Sequence, residues 1–270
     1  MDADWLTEHI GDPDLRLIDF RWYLAGGQTG RGDYEAGHIP GAVFVDLEEV
    51  TGATGAGRHP LPSREQFERV MRAAGVSGAS GVVVYDQSNG YSASRLWWLL
   101  RYFGHPDVAV LDGGAGAWPG PWETEAAGPA AGDFSAGEPD ERAVVGYEEA
   151  RELAGRKVFL DARAPERFSG ETEPIDAKAG HIPGALNAFY GENLDPDGRL
   201  LPAAELRRRY AELGVRPGED AVVYCGSGVS ACLDMLALEL AGLPGARLYA
   251  GSWSDWSGHD DAPVATGAES

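Results

Sequence analysis

The run Cys225-Gly226-Ser227-Gly228-Val229-Ser230 holds the residues whose types and spacing point most directly to chemistry. It follows the apolar stretch Ala221-Val222-Val223-Tyr224 and precedes a helical pattern from Ser230 to Ala241, so Cys225 is expected at the carboxyl end of a strand. Two glycines within four residues let the backbone curl around a small centre, so that several N–H groups can converge on whatever the cysteine sulfur carries. The helix beginning near Ser230 adds positive potential. Such a loop suits a thiolate nucleophile whose product is cradled by backbone amides. The bland alternative is a buried strand-end cysteine. A phosphate-binding loop of the C-x5-R type would need an arginine six residues after the cysteine, where Ala231 stands, so a cysteine phosphatase would lack its main anion clamp. Cys232, on the following helix, reads as core packing more readily than as a resolving thiol.

The elements that must position this loop occur twice. Gly37-His38-Ile39-Pro40-Gly41-Ala42 recurs letter for letter as Gly180 to Ala185, 143 residues later. Each copy follows a short apolar strand ending in aspartate, Leu15 to Asp19 and Val158 to Asp161. Each precedes a second strand and helix: Gly81 to Tyr85 then Ser92 to Phe103, and Ala221 to Tyr224 then Ser230 to Ala241. Valine-rich runs alternating with helical patterns such as Ser63 to Gly75 and Ala203 to Leu213 indicate parallel strands with crossover helices on both faces. The fold class is therefore α/β, as two similar domains. The first spans 1–125 and lacks a sulfur nucleophile, 126–143 is a Pro-, Gly- and Ala-rich surface connector, and 144–270 carries the chemistry. His38 and His181 recur in both halves, so they are assigned to the turn rather than to catalysis. Trp97, Trp98 and Trp118 read as core or interdomain packing.

Composition narrows the partners. The 270 residues carry 22 Lys plus Arg against 43 Asp plus Glu, a formal charge of −21, which repels nucleic acid and anionic membrane. Two cysteines make no disulfide framework, no Cys/His cluster has metal-ligand spacing, and no apolar run is long enough to span a bilayer. A cytoplasmic enzyme without metal or organic cofactor is expected.

The twin Gly-His-Ile-Pro-Gly-Ala segments, Leu111-Asp112-Gly113-Gly114 and Gly251-Ser252-Trp253-Ser254-Asp255-Trp256 together resemble the tandem rhodanese-type sulfurtransferases, over nearly the entire chain from Trp5 to Val264. The resemblance implies two rhodanese-like domains, of which only the second is catalytic. Asp86, in Asp86-Gln87-Ser88-Asn89-Gly90, takes the place of Cys225 in the first half and reads as a solvated loop aspartate. The resemblance further implies sulfur transfer through a Cys225 persulfide, from a small-molecule donor to a thiol, cyanide or thioredoxin-like acceptor. Neutral Gly226 and Ser227 resemble the 3-mercaptopyruvate branch, since the thiosulfate branch commonly has cations there; that branch also implies a relay of Ser227, His59 and Glu48, the last replacing the usual aspartate. Arg167 aligns with the arginine that anchors the donor carboxylate, and Gly226, Gly228, Val229 and Ser230 would hold the donor and outer sulfur. No second arginine appears in Glu173-Pro174-Ile175-Asp176-Ala177-Lys178. Thiosulfate as donor is one alternative, and a persulfide-carrying binding or sensing module is another.

Overall fold

The computed structural model describes residues 1–87 and 89–268, so Ser88 of the first-half loop lies outside the described residues. The chain divides into two compact units. The first comprises Met1–Gly52, Pro62–Pro139 and Pro196–Arg199; the second comprises Ala53–Leu61, Asp140–Asp195 and Leu200–Ser270. Each unit thus includes a short segment drawn from the sequence of the other half.

In chain order the strands are β1 (Leu15–Asp19), β2 (Val43–Phe44), β3 (Gly81–Tyr85), β4 (Val108–Val110), β5 (Val144–Val145), β6 (Phe159–Asp161), β7 (Ala185–Asn187), β8 (Val222–Tyr224) and β9 (Arg247–Tyr249). The helices are α1 (Ala3–His9), α2 (Gly30–Ala36), α3 (Arg64–Ala73), α4 (Ala93–Tyr102), α5 (Tyr147–Leu153), α6 (Pro165–Ser169), α7 (Ala203–Glu212), α8 (Ala231–Leu240) and α9 (Ser252–Trp256). The first unit has the sheet order β2-β1-β3-β4 and the second β5-β9-β8-β6-β7, with every pairing parallel. In both, the strand that precedes the helix-opening loop, β3 or β8, lies inside the sheet. Its residues are almost wholly buried, which is why these strands read as continuous apolar runs without alternation. The helices that follow are buried nearly all round: Ala93 to Leu100 in α4 and Ala231 to Leu238 in α8, mostly apolar but with Ser94, Arg95 and Asp234 among them. Among the described residues no helix is long and apolar enough to cross a membrane.

The duplicated turn has the same construction in both units. His38 Nδ1 hydrogen-bonds to the Tyr34 carbonyl and His181 Nδ1 to that of Phe168, each at 2.8 Å, and each imidazole stacks on the ring of that same residue. The tyrosine that ends the central strand pins the turn: the Ile39 N–H donates to Tyr85 Oη and the Ile182 N–H to Tyr224 Oη, both at 3.2 Å. These contacts give the histidines a structural role in both halves, as expected from their recurrence.

The Pro-, Gly- and Ala-rich stretch that reads as a surface connector forms no helix or strand over residues 126–139, yet it is fastened to the first unit. Phe134 is buried edge-on to Phe67, its N–H donates to the Val76 carbonyl, and its own carbonyl accepts from Arg72 Nε at 2.7 Å. One aromatic in an aperiodic stretch gives no pattern from which such docking could be read.

Candidate active site

Cys225 sits directly beyond β8, almost fully buried and in no disulfide. The segment from Ala250 to Ser254 holds its backbone. The Cys225 N–H donates to Ser252 Oγ at 3.1 Å, while the Cys225 and Gly226 carbonyls each accept, from the Trp253 and Ser254 amides, at 2.9 Å. Ser252 achieves this with φ of +55°, a left-handed conformation rare outside glycine, and its hydroxyl donates onward to the Tyr249 carbonyl. Within the loop the Gly228 N–H donates to Cys225 Sγ at 3.1 Å. Gly228 has φ of +79°, and a Cβ there would fall 2.6 Å from the Ala250 carbonyl oxygen, so glycine is required twice over. Val229 is buried, and Ser230 caps α8 through its backbone position without a side-chain hydrogen bond. The thiol therefore accepts from the Gly228 amide, in the loop that leads into α8.

Two predicted residues are brought together by the segment Ala53–Leu61. His59 and Ser227, both nearly buried, share a hydrogen bond of 2.8 Å between Nδ1 and Oγ. Gly57 allows the close approach that places them: at φ of +75° its Cβ would lie 2.4 Å from the Gly251 carbonyl oxygen. Glu48 belongs to the first unit, where it is exposed within a short 3-10 turn and its N–H donates to Asp46 Oδ1.

Arg167, on α6, is not a surface arginine. Its guanidinium donates to Glu173 at 2.7 Å and to Asp176 Oδ2 at 2.9 Å, and both carboxylates are about 3% exposed. Arg58 pairs with the other oxygen of Asp176. Burial works to raise Glu173, but Arg167 and the Ile175 and Asp176 amides hold its carboxyl below the ordinary range. For Asp176 burial prevails and moves the carboxyl up despite both arginines. Deeper still, Arg163 forks onto Asp161 at 2.6 Å and donates to the Gly180 carbonyl, and the Asp161 charge raises it against the opposing effect of burial. Arg58 and Asp176 were not singled out by the sequence. Arg58 lies far from the loop in the chain, and its only local sign is that it immediately precedes His59.

The profile of the rhodanese-like domain matches residues 2–120 and again 147–259. The chain belongs to the rhodanese family. A Pseudomonas aeruginosa rhodanese relative named as a probable 3-mercaptopyruvate sulfurtransferase is 44% identical over 98% of this chain and 97% of its own length. A Mycobacterium tuberculosis relative, named as a candidate thiosulfate sulfurtransferase, is 42% identical over 95% and 92%. The crystal structure of SseA from Escherichia coli, described as showing the rhodanese fold of 3-mercaptopyruvate sulfotransferases, matches with a TM-score of 0.84 at 37% identity, covering 94% of this chain and 98% of that one.

The first rhodanese-like unit repeats the frame around a different centre. Asp19 and Arg21 reproduce the Asp161–Arg163 fork, with Arg21 donating to the Gly37 carbonyl as Arg163 does to Gly180. The expectation of a solvated Asp86 is wrong: the residue is fully buried, because its carboxylate fills the loop that follows β3. It accepts from the Gly90, Ser92 and Ala93 amides at 2.9–3.2 Å and from Ser92 Oγ. A fixed carboxylate thus satisfies the amides of the rhodanese loop in the unit that has no thiol. Cys232 Sγ donates to the Gly228 carbonyl at 3.3 Å from within the α8 core, in keeping with packing.

Proposed function

We propose that this protein is a sulfurtransferase that takes sulfur from 3-mercaptopyruvate onto Cys225 and passes it to a thiol or to cyanide. The observation that carries the choice of donor is the 2.8 Å hydrogen bond between Ser227 and His59, beside a loop whose own residues 226 and 227 are neutral. A C–S bond must break in this donor, and the carbon left behind needs a proton.

In the proposed step the Cys225 thiolate attacks the donor sulfur. An S–S bond forms as the C–S bond breaks, and the electron pair passes to carbon as the enolate of pyruvate. Ser227, hydrogen-bonded to His59, supplies the proton to the enolate carbon, and the donor's thiol proton restores the pair. The sum is thiolate plus mercaptopyruvate giving persulfide anion plus pyruvate. Arg167 orients the donor carboxylate, while the amides of Gly228, Val229 and Ser230 hold the outer sulfur. An acceptor thiolate or cyanide then attacks that sulfur and Cys225 leaves as thiolate. Glu48 is proposed as the acid that completes the relay through His59. Both cysteines are free, which supports a reducing, cytoplasmic setting and an acceptor such as a small thiol or a thioredoxin-like protein.

Steady-state rates with mercaptopyruvate and thiosulfate side by side, each with a thiol and with cyanide, test this reading. A higher kcat/KM for mercaptopyruvate is expected; a higher value for thiosulfate transfers the assignment to the thiosulfate reading. That second reading draws support from the two guanidinium groups of Arg58 and Arg167, which supply positive charge that the loop sequence lacks. Labelling of Cys225 without repeated turnover would instead make the protein a persulfide carrier.

A further inference from the structure

Gly226 has no left-handed backbone, so its lack of a side chain is not explained by φ. The space a side chain would fill is taken. An ideal Cβ on residue 226 would lie 2.8 Å from Arg58 Nη2 and 3.4 Å from Arg167 Nη1. The two guanidinium groups therefore flank the peptide next to Cys225, and the buried carboxylate of Asp176 ties them together, one oxygen to each. Arg58 is fixed at its backbone as well, where its N–H donates to Ser254 Oγ at 3.0 Å. Its side chain remains 28% exposed, against 16% for Arg167, which is engaged by Glu173 as well as Asp176.

We infer that Arg58 is a donor-binding residue, supplying from outside the loop the cation that a side chain at position 226 would otherwise supply, and that Gly226 is small in order to admit it. Asp176 acts as the positioning residue that holds Arg58 and Arg167 at the spacing needed to grip an anionic donor. This assignment rests on the sulfurtransferase reading but not on which donor is preferred, since the carboxylate of mercaptopyruvate and the oxyanion of thiosulfate present the same chemistry to a guanidinium group. It also places donor recognition and the His59–Ser227 pair on adjacent residues of one segment, Arg58 and His59.

The two half-reactions separate the possibilities in the full-length protein. Loading of Cys225 is followed by single-turnover mixing with mercaptopyruvate and intact mass, and discharge by adding cyanide to preloaded protein. Arg58→Ala is expected to lower the efficiency of loading by about tenfold or more, chiefly through KM, with discharge changed by less than about twofold. Arg58→Lys should recover part of the loss. Gly226→Ala leaves Arg58 in the chain but pushes its guanidinium aside, so it should reproduce the loading defect, and the Arg58→Ala/Gly226→Ala double variant should be no worse than the poorer single one. Asp176→Asn should raise KM in the loading step without altering discharge. Unchanged loading in Arg58→Ala, an equal loss in both half-reactions, or fully additive effects of the two substitutions would overturn the assignment of Arg58. Should Arg58→Ala fail to fold, normal loading by Gly226→Ala overturns it in the same way. Wild-type protein that accepts no sulfur on Cys225 from mercaptopyruvate or thiosulfate overturns the sulfurtransferase reading itself, an outcome distinct from all of these.

Discussion

Cys225 and Cys232 are seven residues apart and both buried, yet only Cys225 ends a strand with an amide aimed at its sulfur. Cys225→Ser should therefore abolish transfer and the gain of one sulfur after donor treatment, while Cys232→Ser keeps most activity; intact mass and turnover check both. Arg167→Ala should lower the efficiency of donor use by roughly tenfold to a hundredfold, the loss of a charge-assisted contact, with cyanide discharge of preformed persulfide affected less. Because Arg167 also neutralises Glu173 and Asp176, the same change should lower the melting temperature, and Arg167→Lys should restore stability before it restores donor use. Asp234 belongs to stability rather than chemistry. Burial pushes its carboxyl up to about 7, only partly offset by Arg209, Asn193 and Tyr210, and its Oδ2 has no hydrogen-bond partner among the described residues. Its folded value lies above the unfolded one of about 3.9, so its contribution is fully present below about pH 4 and is lost as pH rises through about 7. Melting temperatures of wild type and Asp234→Asn should accordingly diverge between about pH 4 and 8, with the variant favoured at the upper end.

At the scale of elements, each central strand, loop and helix forms a frame whose centre can be changed. In the loop after β8 the Gly228 amide donates to the Cys225 sulfur, whereas the loop after β3 has closed three amides on the Asp86 carboxylate. Asp86→Ala should leave three amides without their acceptor and cost about 1–3 kcal/mol of stability, measured by chemical denaturation, with sulfur transfer still proceeding at Cys225. Gly228→Ala should be harsher locally. It combines a left-handed φ with a clash against backbone, not against a side chain that could swing away, so a loss of about 1–3 kcal/mol and slower persulfide formation are expected.

At the scale of the molecule, the second unit is not the second half of the sequence. Ala53–Leu61 belongs to it and brings both Arg58 and His59, so a fragment beginning at Val144 has the complete five-stranded sheet but neither residue. Such a fragment should lose most mercaptopyruvate activity, in the direction of the combined Arg58→Ala and His59→Ala variant; full activity from the fragment would remove the segment from the mechanism. Within the full chain, Glu48→Gln tests the remaining member of the proposed relay, with a fall in the loading rate and unchanged cyanide discharge as the expected result.

Much of this was legible in the chain itself. The exact repeat at Gly37 and Gly180, the apolar runs that became β1, β3, β6 and β8, and the helices after the two loops came within a residue or two of their observed bounds, because buried parallel strands and apolar helices leave continuous marks in composition. Cys225 could be singled out for the same reason, since strand, glycines and helix are consecutive, although the segment that holds the loop's backbone, Ala250 to Ser254, lies some distance on in the chain. Burial of Asp86, docking of Phe134, the pairing of Arg167 with Glu173 and Asp176, and the approach of Arg58 to Gly226 were decided by tertiary structure. Asp86 and Arg167 meet partners only four to nine residues away, but through aperiodic turns, whereas Phe134 and Arg58 meet partners 62 and 118 residues away. In neither case does a period of 2 or 3.6 residues record which amide or charge arrives beside a polar group once water is excluded.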